Sequence, residues 1–330
     1  MSSVIYSFAE RPAHPDASDA ETAQGYGALW GNSPAMQEVF RLLKRVGPTE
    51  AGVLLTGESG SGKALAARCL HDLSARNGRP FVAINCGAIP GALIETELFG
   101  GEHPGVFDQA QGGTVLLDQV TELPMDMQMR LLRLLETGQY YRAGAAEITC
   151  DVRVIAATNC CPLTAVRNGQ LREDLLYRLA VFPIEMPPLR VRGNDAVLIA
   201  DRVLEELNTQ AGTHKHFSTL SRMTLKQHSW PGNVRELRNC IERAFIVADQ
   251  SLELTPLNEH RPDRPSYADD RRLEIRIGSR IHDMERSLIV ATLDHFKGNK
   301  RRAADALGCS LKTLYNKLNG YSQRQELANT

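Results

Sequence analysis

Two apolar signatures follow one another along the chain. Short continuous apolar runs mark buried strands, and apolar residues spaced by three and four mark helices. Met36, Val39, Phe40, Leu43 and Val46 fall at helical spacing. They follow Ser33-Pro34, a capping hydroxyl with proline in the first turn. Apolar runs then predict strands at Val53–Thr56, 80–85, Thr114–Asp118 and 152–159. A fifth at 182–186 contains Pro183, which predicts a short or edge strand. Helix-like runs at 64–73 and 125–135 lie between them. Alternating strands and helices imply an α/β fold, a mostly parallel sheet covered on both faces. From about Ala196 the strands stop, and 195–210, 218–228 and Asn233–Val247 read as a small helical subdomain. The Pro-rich, aperiodic stretch 253–278 reads as a linker. A long amphipathic helix at 281–295 and short helices at 299–307 and 311–318 follow. The turn Gly308-Cys309-Ser310 gives the last two helix-turn-helix spacing.

Between the first strand and its helix lies Gly57-Glu58-Ser59-Gly60-Ser61-Gly62-Lys63, of the form G-x-x-x-x-G-K. Glycines let backbone N–H groups curl around an anion, the helix start adds positive dipole, and Lys63 adds a point charge. The strand–loop–helix setting favours a phosphate-binding loop over a plain glycine turn. Asp118 ends a buried apolar strand and is the candidate Mg²⁺ ligand. Ala64, next to the lysine, supplies no hydroxyl to the metal. The neighbour of Asp118 is Gln119. An amide orients a water but accepts no proton at neutral pH, so the site is expected to bind nucleotide without efficient turnover.

Composition changes this picture little: 42% hydrophobic and 23% charged residues are ordinary for a globular chain of two or three domains. The charge is uneven. Residues 279–330 hold nine Lys or Arg against five Asp or Glu, on a chain of net charge −1. A basic end on an acidic body suggests nucleic acid, with a solvated helical face as the plain alternative. The seven cysteines show no C-x-x-C pair or zinc spacing, which fits a reducing cytoplasm. No apolar run suggests a membrane span or secretion signal, and residues 1–25 read as a flexible leader too short for a sensing domain. Control through a fused receiver is therefore not expected.

The residues also carry a family resemblance. Residues 26–250 resemble the AAA+ domain of bacterial sigma-54-dependent transcription activators. The matching strings include 31–36, the loop 57–63, 81–86, Glu97-Leu98-Phe99-Gly100 and 112–118. They continue through 154–159, 171–179 and 230–237. Residues 280–321 resemble the family's Fis-type DNA-binding domain through 298–304 and Thr313-Leu314-Tyr315. The resemblance implies a nucleotide-binding α/β subdomain at 26–195 and a helical lid at 196–252. A linker at 253–278 and a helix-turn-helix domain at 279–330 would follow. It implies that Gly57 through Ala64, Asp118 and Arg235 hold ATP and Mg²⁺. Asn159 would sense the γ-phosphate, and Asn85 would restrain the catalytic carboxylate. Arg172 and Arg178 would be arginine fingers reaching a neighbour's nucleotide in a hexameric ring. Without the family, each arginine reads as a surface ion pair.

Two departures stand out. The family has Glu where this chain has Gln119. It also has a loop bearing G-A-F-T-G-A, which contacts sigma-54, where only 101–111 joins Gly100 to Gly112 here. Both point to a DNA-binding regulator whose ATP site is an assembly switch. An active sigma-54 remodelling ATPase and a subunit that joins rings of a full-length paralogue remain the alternatives. RNA polymerase or a paralogous activator is the expected protein partner. At the DNA end, Lys312, Thr313, Asn316 and Lys317 are expected in the major groove, and Lys300, Arg301 and Arg302 at phosphates. Leu314 and Leu318 are expected to face the core. The helix at 281–295 implies a dimer and palindromic double-stranded DNA sites.

Overall fold

The computed structural model describes residues 5–6, 25–142, 147–256, 285, 288–290, 292–293, 296, 299–308, 313–314 and 317. The chain divides into two units, Met1–His260 and Arg261–Thr330.

The first unit is built on a six-stranded sheet. Its strands are β1 (Ile5–Tyr6), β2 (Val53–Thr56), β3 (Phe81–Asn85), β4 (Thr114–Asp118), β5 (Arg153–Thr158) and β6 (Phe182–Glu185). They lie in the order β1-β3-β4-β5-β2-β6. All neighbours from β3 to β6 are parallel, and β1 joins antiparallel to β3. As its proline implied, β6 is an edge strand. The expectation that residues 1–25 lie outside the fold needs correction. Ile5 and Tyr6 pair with Ile84 and Ala83, closing one open edge of the sheet.

Successive side chains of a strand point to opposite faces, and both faces here are apolar. Leu54, Ile84, Leu117 and Ala156 join one core with Phe99, Phe107, Leu131 and Leu175. Leu55, Ala83, Leu116 and Ile155 join a second with Met36, Phe40, Leu43 and Leu70. The second core is covered by α1 (Pro34–Val46) and α2 (Lys63–Asp72). Ser33 caps α1, and the five predicted stripe residues are its buried positions. The first core is covered by α3 (Gly91–Phe99), α4 (Val106–Gln109), α5 (Met125–Thr137), α6 (Pro162–Arg167) and α7 (Glu173–Leu179).

Between α3 and α4 the chain makes a tight turn. Asp108 closes it, accepting from Gly105 N at 2.8 Å, Arg142 Nη2 at 2.6 Å and Tyr140 Oη at 2.5 Å. Tyr140 belongs to a strand pair, Gln139–Tyr141 with Glu147–Thr149, and its ring packs at a tilt against Phe99.

The lid holds α8 (Asp195–Ala211), α9 (Thr219–Gln227) and α10 (Asn233–Val247) around Trp230, Leu237 and Ile241. The three helices match the periodicity, but strands do not stop at 196. His216–Phe217 and Ser251–Leu252 form a short parallel pair. The start of the expected linker is also packed: Leu254 is buried and its N–H donates to Ser221 Oγ. Residues 257–278 lie outside the described ones.

In the second unit, residues 285, 288–290 and 292–293 are helical, as is α11 (Lys300–Ala306). Thr313, Leu314 and Lys317 are helical too. Ile289, Ala303, Ala304 and Leu314 make its core, so Leu314 faces inward as the spacing implied. Leu318 lies outside the described residues.

Candidate functional site

The carboxyl ends of parallel strands are where α/β sheets bind ligands. Here β2 runs into the loop Gly57–Gly62, and α2 starts at Lys63. Gly57, Gly60 and Gly62 have φ of 139°, 76° and 106°. The need is sharpest at Gly60, where a Cβ would stand 2.4 Å from the Gly232 carbonyl oxygen. Lys63 is buried, and its Nζ donates to the carbonyls of Gly57 at 2.7 Å and Glu58 at 3.0 Å. Burial pushes its pKa down, with Asp118 opposing and Arg235 adding to the shift. The hydroxyl of Ser61 is fully buried and has no hydrogen-bond partner. A glycine-built cradle with a buried ammonium and an orphaned hydroxyl fits a phosphate chain.

The loop is gripped from the lid side. Arg190 donates to both oxygens of Glu58, at 2.6 and 2.8 Å. Asn233 Nδ2 donates to Glu58 Oε2 and to the Ser59 carbonyl, both at 3.1 Å, while its Oδ1 accepts from Leu189 N at 2.7 Å. Arg235 Nη1 donates to Ser59 Oγ at 2.8 Å. Buried Arg192 donates to the Ser61 carbonyl at 2.5 Å. The Glu58 carboxyl is held down to about 2, chiefly by its hydrogen bond from Arg190. Asp195, at the start of α8, accepts from Asn32 N, Ser33 N and Ser33 Oγ, so the lid also anchors the start of α1.

Next along the sheet edge, Asp118 and Asn85 are paired in register. Gln119 follows in the left-handed region, φ 57°, its N–H donating to Asp118 Oδ1 at 3.0 Å. Its side-chain oxygen lies over Gly87, where a Cβ would stand 2.3 Å from it and 3.5 Å from Asn85 Oδ1. Asn85 Oδ1 accepts from Gly87 N at 3.0 Å. Bulky residues at positive φ are costly, and Gln119, Trp230 and Asn233 are the described non-glycine cases. Of the three, Asn233 contacts the phosphate loop directly, through Glu58 and Ser59. Asn159 is exposed just past the end of β5.

The two expected arginine fingers are not brought to this loop. Arg172 forms a two-point pair with Asp174, at 2.6 and 3.0 Å. Arg178 donates to the Leu135 carbonyl at 2.7 and 3.2 Å.

Residues 29–185 match the family described as the Sigma-54 interaction domain, 190–270 the AAA+ ATPase lid domain, and 280–321 the Bacterial regulatory protein, Fis family. The chain is 39% identical over 339 residues to the DNA-binding transcriptional regulator NtrC of Azospirillum brasilense, spanning 91% of this chain and 70% of that protein. The chain belongs to the sigma-54-dependent transcription regulator family. It is also 36% identical over 330 residues to the regulatory protein LuxO of Vibrio vulnificus strain YJ016, spanning 93% of this chain and 72% of LuxO. A crystal structure of NtrX from Brucella abortus in complex with ATP matches with a TM-score of 0.66 and 33% identity. That match covers 89% of this chain and 69% of NtrX.

As in its family, this regulator carries an AAA+ domain and a Fis-type DNA-binding domain. In the latter, Lys300, Arg302 and Thr313 are exposed. Lys317, expected at the DNA, pairs with Glu285 of the helix before α11. Arg301 is helical, while Lys312 and Asn316 lie outside the described residues. Sequence reasoning missed Arg190 and Asn233 as parts of the nucleotide site. Both are far from the loop in sequence, and only the turn signal Trp230-Pro231-Gly232 hinted that position 233 needs an unusual backbone.

Proposed function

We propose that this regulator binds ATP at the loop 57–63 as an assembly switch and hydrolyses it slowly or not at all. The observation that carries the proposal is Gln119 beside Asp118 at the end of β4. Where the family resemblance implies a water-activating carboxylate, this chain holds an amide, which accepts no proton at neutral pH. The loop, Lys63, Ser61 and Arg235 would hold the phosphates, and Asp118 would hold Mg²⁺, which neutralises phosphate charge when bound. Binding thus survives the loss of the base. The ATP complex of the related NtrX supports this choice of nucleotide.

The turn between α3 and α4 supports the same reading. It is short and sealed by Asp108, and it offers no extended loop to push on sigma-54. What the site then contributes is geometry. Nucleotide held between loop and lid fixes the lid's angle, and the lid and Arg172 and Arg178 meet a neighbouring subunit in a ring. Assembly raises avidity for paired DNA sites. Leu288 and Val290 are exposed on the helix preceding α11, which suits a dimer and palindromic double-stranded sites read in the cytoplasm. We take the functional parts to be 26–195, 196–252 and 279–330.

The retained Arg172 and Arg178 favour a second reading, a subunit that enters rings of a full-length paralogue and completes a neighbour's site. Measuring phosphate release, nucleotide binding and oligomer mass on one preparation separates these. The switch predicts saturable ATP binding, a larger oligomer with ATP and little phosphate release. Turnover at ordinary ATPase rates by the protein alone would refute it. Oligomers only on adding a paralogue would favour the second reading.

A further inference from the structure

Two neighbouring thiols stand where β5 leaves the sheet. The chain bends at Asn159 and Cys160. Cys161 follows in extended backbone, φ −66° and ψ 119°, and Pro162 opens α6. A proline disfavours helical backbone in the residue before it, so the sequence itself sets this part of the turn. Cys160 and Cys161 are both exposed, whereas Cys69, Cys86, Cys150 and Cys240 are buried. Burial pushes the thiols of Cys69, Cys86 and Cys150 up to about 12, which leaves them protonated and inert. Cys161 moves the other way. The Thr164 hydroxyl, with the backbone of Thr164 and Leu163 and the charge of Arg167, pushes its thiol below the ordinary range.

Cys160 is tied to the carboxyl ends of β4 and β5. Its N–H donates to Thr158 Oγ1 at 3.3 Å, and its Sγ lies 3.2 Å from Thr158 Oγ1 and 3.5 Å from Thr121 Oγ1. Those two hydroxyls are buried and 3.2 Å apart. Thr158 ends β5 directly before Asn159, and Thr121 stands two residues after Gln119. Two further facts limit what the pair can take. Consecutive Cα atoms stand about 3.8 Å apart, below the roughly 4.4–6.8 Å that a disulfide spans, so the two thiols resist closing on each other. Among the described residues no group of three or more His, Cys, Asp or Glu could hold a metal ion, so the four ligands of a usual zinc site are not at hand. A centre that needs only two sulfurs and brings its own third group fits both limits.

We propose that Cys160 and Cys161 together bind a trivalent organoarsenical, one arsenic atom bridging both sulfurs. Thiolate is a soft donor and selects soft partners. With a species R–As=O, two As–S bonds form, both S–H bonds and the bond from arsenic to oxygen break, and the oxygen leaves as water with the two protons. Arsenic stays trivalent, so no oxidant or reductant is needed. Bridging draws Cys160 Sγ away from the hydroxyls of Thr158 and Thr121 and shifts the adjoining Asn159, so occupancy weakens ATP binding at the phosphate loop. That consequence rests on the function proposed above; the binding itself does not.

The test uses the full chain with phenylarsine oxide as probe, read by intact mass without nucleotide. One adduct per chain is expected, kept in excess mercaptoethanol, a monothiol, and released by ethanedithiol. Cys160→Ser and Cys161→Ser, each at an exposed position, should each cost about 10²-fold or more in affinity, because a single sulfur no longer chelates. Cys309→Ser should leave the adduct unchanged. The proposal is overturned if no monothiol-resistant adduct forms, or if the adduct persists in either of the first two variants. Calorimetry then reads the coupling: the loaded chain should bind ATP about tenfold more weakly, and equal affinity would refute the coupling. An unloaded chain that binds no ATP would count against the function proposed above and not against this site, since the adduct is read without nucleotide.

Discussion

Arg190 grips Glu58 through two hydrogen bonds of 2.6 and 2.8 Å, tying the second residue of the phosphate loop to the chain that enters the lid. The loop is thereby coupled to the lid, the element that the proposed assembly switch would move. Both side chains stay more than a third exposed, so solvent screening keeps the pair's own contribution to stability small.

That pair has a pH signature. The folded-state carboxyl of Glu58 sits at about 2 against an ordinary 4.5. A depressed pKa adds stability that is complete above 4.5 and is lost as pH falls toward 2, because the unfolded chain takes up the proton first. Glu58→Gln should flatten the fall of Tm across that window. An unchanged slope in the variant would show that Glu58 is not held by Arg190 in solution.

Gln119→Glu should raise ATP turnover by about 10²–10⁴, the usual contribution of a general base. Nucleotide affinity should change little, since the loop and Lys63 are untouched. Single-turnover phosphate release and equilibrium binding on the two proteins check this. No gain in turnover would place the block elsewhere in the site.

Asn233→Ala should destabilise the first unit by about 1–3 kcal/mol in urea unfolding, because the Leu189 N–H loses its buried acceptor. Weaker ATP binding should accompany it, since Glu58 and Ser59 lose a donor. Asn233→Gly keeps the φ of 54° free of strain and should recover part of the stability but not the affinity. Equal losses of stability in both variants would show that strain is not a factor.

His71 predicts a second pH effect. It is buried beside Phe81, Nδ1 lies 2.9 Å from Thr114 Oγ1, and Nε2 has no partner. Burial, aided by Arg68, pushes its pKa below the ordinary 6.5. The unfolded chain therefore binds the proton first, and stability should begin to fall as pH drops below 6.5. In His71→Phe, which cannot titrate, urea midpoints should lose that slope while the helix stays packed on β4.

The strand–loop–helix order, the stripe of α1, the five strands β2 to β6 and the three lid helices were legible in the sequence. Each is local: burial on one face imposes a period of 3.6 or 2 on neighbouring residues. Gly57–Lys63, Asp118 and Gln119 were legible for the same reason, since their spacing along the chain is their chemistry. Ile5–Tyr6 was not, because two residues carry no period and their place depends on an open edge made by a strand some 75 residues later. The grip of Arg190 and Asn233 on Glu58 was decided only in three dimensions. Those residues lie 132 and 175 positions from it, and a polar contact across such a separation leaves no pattern in the chain. The sequence by itself determined the phosphate-loop spacing and the amide that follows Asp118. Tertiary structure decided what holds the loop, because desolvation and charge pairing depend on neighbours in space.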